Sequence, residues 1–81
     1  MNTAGFSQDI QISVIIPMFN EEENASDTIQ RVISVLKQDG RPFEIIPVND
    51  GSTDNTLAVL DETAAENPSV RVVSYWKNGG R

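Results

Sequence analysis

The chain has 81 residues, an apolar share of 38% and a net charge of −6, which allows one small domain with a thin hydrophobic core. It contains no cysteine and no histidine, so disulfides, Cys- or His-ligated zinc and His-based catalysis are excluded, and a metal could bind only through oxygen ligands. The acidic balance argues against a nucleic-acid partner, and no apolar run approaches the roughly 18 residues of a membrane span. We therefore expect a cytoplasmic protein.

The chain order predicts an α/β fold. Residues 1–10 are polar and aperiodic, which indicates a flexible leader, and residues 11–81 are assigned to a single domain. The β-branched run Ile12–Ile16 predicts a strand that is buried on both faces and ended by Pro17. The remaining elements are predicted as a helix over 21–38, a strand over 43–48, a helix over 55–66 and a strand over 70–74.

The first predicted helix has an apolar stripe and a well-marked end. Gly40 is the expected left-handed residue after it, and Pro42 blocks its continuation. The positions expected to be buried fall at helical spacing, namely Ala25, Ile29, Val32, Ile33 and Leu36.

The second helix and the strand before it are less regular. Asp54 is predicted to cap this helix, with Leu57, Leu60 and Ala64 as its buried stripe. Pro47 is awkward in the preceding strand, because proline cannot donate a hydrogen bond to a neighbouring strand.

Two polar loops follow predicted strands at one edge of the sheet. The β-α-β-α-β order with short connections predicts a parallel sheet with right-handed crossovers, and such sheets bind ligands at the carboxyl ends of their strands. The loop over 17–21 offers an aromatic ring, an amide and a carboxylate, and the loop over 49–54 offers amide, carboxylate and hydroxyl groups. Beyond the last strand, residues 77–81, which include Lys77, Asn78 and Gly79, add two cations and flexible backbone.

Several of these residues also have a purely structural interpretation. Asp54 fits a helix cap, Gly51 and Ser52 fit an ordinary turn, and Phe19 could serve packing alone. Two nucleotide-binding motifs are missing, because the chain contains neither GxGxxG nor GxxxxGK[ST]. A dinucleotide fingerprint and a P-loop are therefore excluded.

Two segments carry a resemblance to a known family. Residues 13–24 read SVIIPMFNEEEN, and residues 48–56 read VNDGSTDNT. These two segments, the predicted helix between them and the segment over 71–80 that follows them resemble family 2 glycosyltransferases. The resemblance implies that residues 11–81 form the β-α-β-α-β parallel-sheet half of a GT-A (Rossmann-like) nucleotide-binding domain. The resemblance is strongest to the branch of the family that moves sugars onto polyprenyl phosphates, of which dolichol-phosphate mannose synthase is an example.

The resemblance implies a nucleotide-diphosphate sugar, either a UDP- or a GDP-sugar, as the ligand. Pro17, Phe19 and Glu21 match the family's first nucleotide-binding loop, in which an aromatic ring packs against the base. Asp50 matches the carboxylate that accepts a hydrogen bond from the ring N–H of the base, and Asn49 stands where many members have Asp. The nucleotide-binding set implied in this way is Pro17, Phe19, Asn20, Glu21, Asn49, Asp50, Gly51, Ser52, Lys77, Asn78 and Gly79.

The resemblance also implies Mg²⁺ or Mn²⁺ on the diphosphate, held by an Asp-x-Asp motif that does not occur in these 81 residues. No catalytic residue is therefore assigned, and the chain is expected to be inactive alone. A polyprenyl phosphate at the cytoplasmic face of a membrane is the implied acceptor of the full-length protein. The alternative is a truncated, non-catalytic α/β module for nucleotide binding or interaction, in which the unpaired edge of the first strand would favour self-association.

Overall fold

The structure, a computed structural model, describes residues 9–75, in which strands and helices alternate as predicted. The elements are β1 (Ile12–Met18), α1 (Ala25–Asp39), β2 (Phe43–Asp50), α2 (Thr56–Glu66) and β3 (Val73–Tyr75). The strands form one parallel sheet in the order β1-β2-β3. The predicted fold class is confirmed. The leader predicted over 1–10 lies outside the described residues, apart from its last two positions.

Both helices cover the same face of this sheet. Right-handed crossovers along the order β1-β2-β3 place α1 and α2 on one side, where the two helices contact each other. The predicted apolar stripe of α1 is confirmed, with Val32 half-buried at its margin. The hydrophobic core between the helices and the sheet consists of Met18, Ala25, Ile29, Ile33, Leu36, Ile45, Leu60 and Val70.

The prediction that β1 is buried on both faces is wrong. Val14 and Ile16 are half-buried on the helix side, whereas Ile15 points to the other face and is 65% exposed. The run of β-branched residues suggested a second covering layer. Neither described helix lies on that far face, so the burial alternates along the strand as in a sheet covered on one side.

Pro17 does not end β1, which continues to Met18. The Pro42 carbonyl accepts from Ile12, the first residue of β1, and also from Gln11, which precedes the strand. Ile12 pairs with Phe43, so within the strand the donors that face β2 belong to even-numbered residues, and residue 17 points away from β2. Proline is tolerated at such an edge position because no ladder hydrogen bond is lost there.

Pro47, which is fully buried in β2, interrupts the pairing with β3. The Ile45 carbonyl accepts from the Arg71 N–H at 2.8 Å, so odd-numbered residues of β2 bond toward β3. The next donor on that side would be residue 47, which has no N–H because it is proline. The pairing therefore consists of an isolated bridge at Val70 and a ladder that starts only at Val73, three residues later than predicted.

The boundaries and the buried stripe of α2 also differ from the prediction. The helix begins at Thr56, and its buried residues are Thr56, Leu60 and Thr63, whereas Leu57 and Ala64 are half-buried. Thr63 is accommodated because its hydroxyl donates to the carbonyl one turn earlier, at 2.9 Å. Within residues 9–75, neither helix has the length and apolar character needed to cross a membrane.

Gly40 ends α1 in the left-handed conformation, with a φ of 90°. A Cβ atom there would meet nothing within 4 Å, so only the backbone conformation penalises a substitution. We expect Gly40→Ala to lower the free energy of unfolding by about 1 kcal/mol, and Gly40→Asn to lower it by less, because asparagine visits this region more readily. Urea unfolding followed by circular dichroism measures both changes. An alanine variant as stable as the wild type would contradict the expectation.

Candidate functional site

The strands end together at the carboxyl edge of the sheet. Met18 of β1 pairs with Asn49 of β2, and Asn49 pairs with Ser74 of β3, so these three side chains share one face. Asn49 and Asp50, predicted in a loop, are instead the last two residues of β2. Because successive strand residues point to opposite faces, Asn49 lies on the helix side and Asp50 on the uncovered side.

The loops that follow β1 and β2 are joined through Asn20. We define the first loop as residues 19–24 and the second loop as residues 51–55. The Asn20 N–H donates to the Ser52 hydroxyl at 3.0 Å, and the Thr53 N–H donates back to the Asn20 side-chain oxygen at 2.9 Å. Asn20 has a φ of 51°, a left-handed conformation that asparagine tolerates better than most residues.

A second set of contacts joins the first loop to the start of α2. The Glu21 N–H donates to Thr56 Oγ1 at 2.8 Å, and the Glu22 N–H donates to Asp54 Oδ2 at 3.4 Å. Asp54 Oδ1 accepts from the Thr56 N–H at 2.9 Å and from the Thr56 hydroxyl. In return, the Asn55 N–H donates to Glu22 Oε1 at 3.2 Å. The two loops therefore form one hydrogen-bonded unit.

Asp54 is the charged centre of this unit. The hydrogen bond from the Thr56 hydroxyl, together with the Thr56 and Glu22 backbone N–H groups, holds the pKa of Asp54 below its ordinary value, against the partial burial that raises it. The prediction that Asp54 is the N-cap is wrong by one residue, because α2 begins at Thr56 and its N-cap is Asn55. Asp54 still accepts from the Thr56 N–H at the start of the helix. The contact from Glu22 shows that Asp54 also holds the first loop.

Two clefts open on either side of Asp54, which lines both. The larger, of about 340 Å³, lies between the start of α2 and the end of β3 and is also lined by Asn49, Ser52 and Tyr75. Asn49 is 5% exposed; its amide nitrogen donates to Ser74 Oγ at 3.0 Å, and its side-chain oxygen is buried without a hydrogen-bond partner. The smaller cleft, of about 200 Å³, is lined by residues 20–24 and Asp54.

The residues predicted for nucleotide binding fall into three groups. Those that meet in the joined loops or the clefts are Asn20, Glu21, Asn49 and Ser52. Those at the same edge that line neither cleft are Pro17, Phe19, Asp50 and Gly51, of which Phe19 is 53% exposed. Lys77, Asn78 and Gly79 lie outside the described residues. A contact of any of them with a nucleotide stays a prediction.

The sequence interpretation missed Thr56 and gave Asp54 only a capping role. The spacing Asp-x-Thr before a helix was a usable signal, because an aspartate there can accept from both the backbone N–H and the hydroxyl of the threonine. The bonds to residues 21 and 22 could not be inferred from this spacing, since those residues lie 32 to 35 positions away in the chain.

The acidic residues of this edge do not fit a metal site. Glu22 Oε1 and both Asp54 carboxylate oxygens already accept hydrogen bonds from the loops. Across residues 9–75, no three acidic side chains are arranged to hold a metal ion.

Comparison with known proteins gives a consistent result. Residues 13–81 match the family model described as glycosyl transferase family 2. The chain is 35% identical over 74 residues to an uncharacterized glycosyltransferase of Bacillus subtilis, covering 91% of this chain and 23% of that protein. It is 39% identical over 72 residues to an uncharacterized glycosyltransferase of Synechocystis, covering 89% of this chain and 23% of that protein.

A third relative has a more specific name. Undecaprenyl-phosphate 4-deoxy-4-formamido-L-arabinose transferase of Pectobacterium carotovorum is 40% identical over 67 residues, which cover 83% of this chain and 20% of that protein. The predicted resemblance to family 2, and to its polyprenyl-phosphate branch, is confirmed at the level of sequence similarity. The chain spans about a fifth of the length of the curated relatives that it matches.

The junction between the two loops should loosen in acid. The folded-state pKa of Asp54 is depressed, so its contribution is present above the unfolded-state pKa of about 4 and is lost as the pH falls through the folded-state value. We expect the hydrogen-exchange protection of the Glu22 amide to fall over this range, relative to the Ile29 amide inside α1. Exchange measured by NMR from pH 5 to about pH 2 would test this.

The Asp54→Asn variant is the control for this titration. The same clefts are also lined by other carboxylates, namely those of Glu21, Glu22, Glu23 and Asp61, which the variant leaves in place. In the variant, the Glu22 amide should be poorly protected at every pH, because an amide nitrogen can replace the accepting oxygen. Equal pH dependence in the two proteins would assign the effect to the other carboxylates.

Proposed function

We propose that this chain, which belongs to glycosyl transferase family 2, binds the nucleotide of a nucleotide-diphosphate sugar at the carboxyl edge of its sheet. The observation that carries the proposal is the joining of the two loops, which brings residues from the ends of β1 and β2 into one preorganised surface. In parallel α/β sheets this edge is where ligands bind. The complete protein would transfer the sugar to an acceptor.

Two groups at this edge, a ring and a carboxylate, suit the recognition of a base. The Phe19 ring is 53% exposed at the start of the first loop, so it is available for stacking, which gives affinity without charge. Asp50 ends β2 beside Tyr75 of β3 and offers a carboxylate acceptor at a rigid position. Such an acceptor selects a base that presents a ring N–H and rejects one that does not.

The negative charge at the carboxyl edge of the sheet limits which part of the donor can bind there. The acidic side chains of Glu21, Glu22, Glu23 and Asp54 surround the smaller cleft, and they would repel a bare diphosphate. Members of this family generally use a divalent metal ion, and residues 9–75 contain no set of ligands for it. We therefore assign the described residues to the base end of the donor and derive no metal-dependent step from them.

The acceptor is proposed from the relatives. Several curated proteins similar to this chain are named as undecaprenyl-phosphate sugar transferases, which supports a polyprenyl phosphate as the acceptor of the whole protein. Such an acceptor would place the reaction at the cytoplasmic face of a membrane. Because the chain spans about a fifth of these relatives, we expect no sugar transfer by the 81 residues alone, with or without Mn²⁺.

Calorimetric titration with UDP- and GDP-sugars, with and without Mn²⁺, tests the donor site. We expect weak binding that falls about fivefold in Phe19→Ala, from lost stacking, and about tenfold in Asp50→Ala, from a lost hydrogen bond to a charged acceptor. Glu62→Ala, at an exposed position of α2, removes the same charge without touching the edge and serves as the control. Equal affinities in Asp50→Ala and Glu62→Ala would remove Asp50 from base recognition.

A second candidate, a non-catalytic interaction module, is favoured by the uncovered face of the sheet. Ile15 is 65% exposed there, and Val73 and Tyr75 of β3 are 37% and 52% exposed. Among the described strands, β1 pairs only with β2, so its other edge carries backbone groups that a second copy of the chain could pair with. The expected assembly is a self-associated form of this chain.

Sedimentation of two matched variants tests the self-association. Ile15→Lys places a charge on the uncovered face, and Val35→Lys places the same charge on α1 at a side chain of equal exposure, 66% against 65%. We expect the wild type and Val35→Lys to associate at high concentration and Ile15→Lys to be shifted to the monomer. A monomeric wild type under these conditions would rule the assembly out.

A further inference from the structure

We propose that Asp54 and Thr56 are positioning residues for the first loop, and that their contacts set the affinity for the donor nucleotide. The inference rests on the proposed donor site and extends it to residues that would not touch the nucleotide's base. It is carried by one arrangement in the structure. Three consecutive N–H groups of the first loop, those of residues 20, 21 and 22, each donate to a side chain from the second loop or α2.

The direction of the hydrogen bonds follows from the charge on Asp54. An ionised carboxylate can only accept, so the single hydroxyl hydrogen of Thr56 must be donated to Asp54. The lone pairs of that hydroxyl are then left to accept the Glu21 N–H. Thr56 is fully buried, so its hydroxyl is removed from bulk water.

These contacts fix the position of the Phe19 backbone. The ring belongs to the residue immediately before the three held amides, and it follows Met18, which is buried at the end of β1. The backbone on both sides of Phe19 is therefore fixed, by the sheet on one side and by the second loop on the other. Phe19 is held relative to Asp50, which is the last residue of the neighbouring strand.

A helix cap alone does not explain this arrangement. Support of the start of α2 requires only that Asp54 accept from the Thr56 N–H, a contact within the second loop and α2. The bonds from Glu21 and Glu22 cross to the first loop and add nothing to the cap. The two roles therefore predict different results when the Thr56 hydroxyl is removed while its backbone N–H is kept.

The experiment compares Thr56→Val, which has nearly the same shape and no hydroxyl, with Thr56→Ser, which retains the hydroxyl. Amide exchange of Glu21 and donor affinity are measured on the same samples, by NMR and by calorimetry with the nucleotide sugar that the wild type binds best. In Thr56→Val we expect Glu21 protection and donor affinity each to fall about tenfold, and in Thr56→Ser both to stay near wild type.

A second variant distinguishes a local effect on the first loop from a general loss of structure. Asp54→Asn keeps an acceptor for Thr56 and disturbs the Glu22 N–H, so it should weaken donor binding with Glu22 protection lost and Ile29 protection in α1 unchanged. Glu21 exchange that is unaffected in Thr56→Val would overturn the inference. Lost Glu21 protection with unchanged donor affinity would also overturn it, since the contact would then be structural only.

The failure of this inference can be told apart from that of the donor site. If the wild type binds a nucleotide sugar and Phe19→Ala weakens that binding, but Thr56→Val does not, only the positioning role is wrong. If the wild type binds neither UDP- nor GDP-sugars, the donor site itself is wrong and the positioning role is overturned with it.

Discussion

The site depends on how the backbone N–H groups of one loop are satisfied. The amides of Asn20, Glu21 and Glu22 donate to side chains that lie 32 to 35 residues further along the chain. These hydrogen bonds are partly buried and contribute about 0.5–1.5 kcal/mol each, so the second loop stabilises this shape of the first loop. The ends of β1 and β2 are thereby joined at the edge where parallel sheets bind ligands.

The hydrophobic core lies on one face of the sheet and leaves the opposite face uncovered. All apolar side chains that are fully removed from solvent lie between the sheet and its two helices, within the described residues. The opposite face carries Ile15 and Tyr75 in exposed positions. Such a face is expected to bind further polypeptide, because exposed apolar surface of this kind promotes association. The relatives, which are several times longer than this chain, have additional residues that could cover it.

The local sequence predicted the elements well but not their limits. Helical spacing identified the stripe of α1, and the left-handed Gly40 ended that helix as expected. The predicted effect of proline on strand pairing was wrong for β1 and right for β2. Pro17 was expected to stop β1, yet its nitrogen points away from β2, whereas Pro47 faces β3 and breaks that ladder. Which side a prolyl nitrogen faces depends on strand register, and a single strand does not contain that information.

The sequence by itself determined the order of the elements, the polar edge of the sheet and the family, because periodicity, turn residues and motif spacing are local properties of the chain. The tertiary structure alone decided that β1 is covered on one face and that Thr56 accepts from Glu21. Both depend on residues that are distant in sequence and meet only when the strands pair. For the same reason Asp54, which looked like a helix cap, also holds the first loop in place.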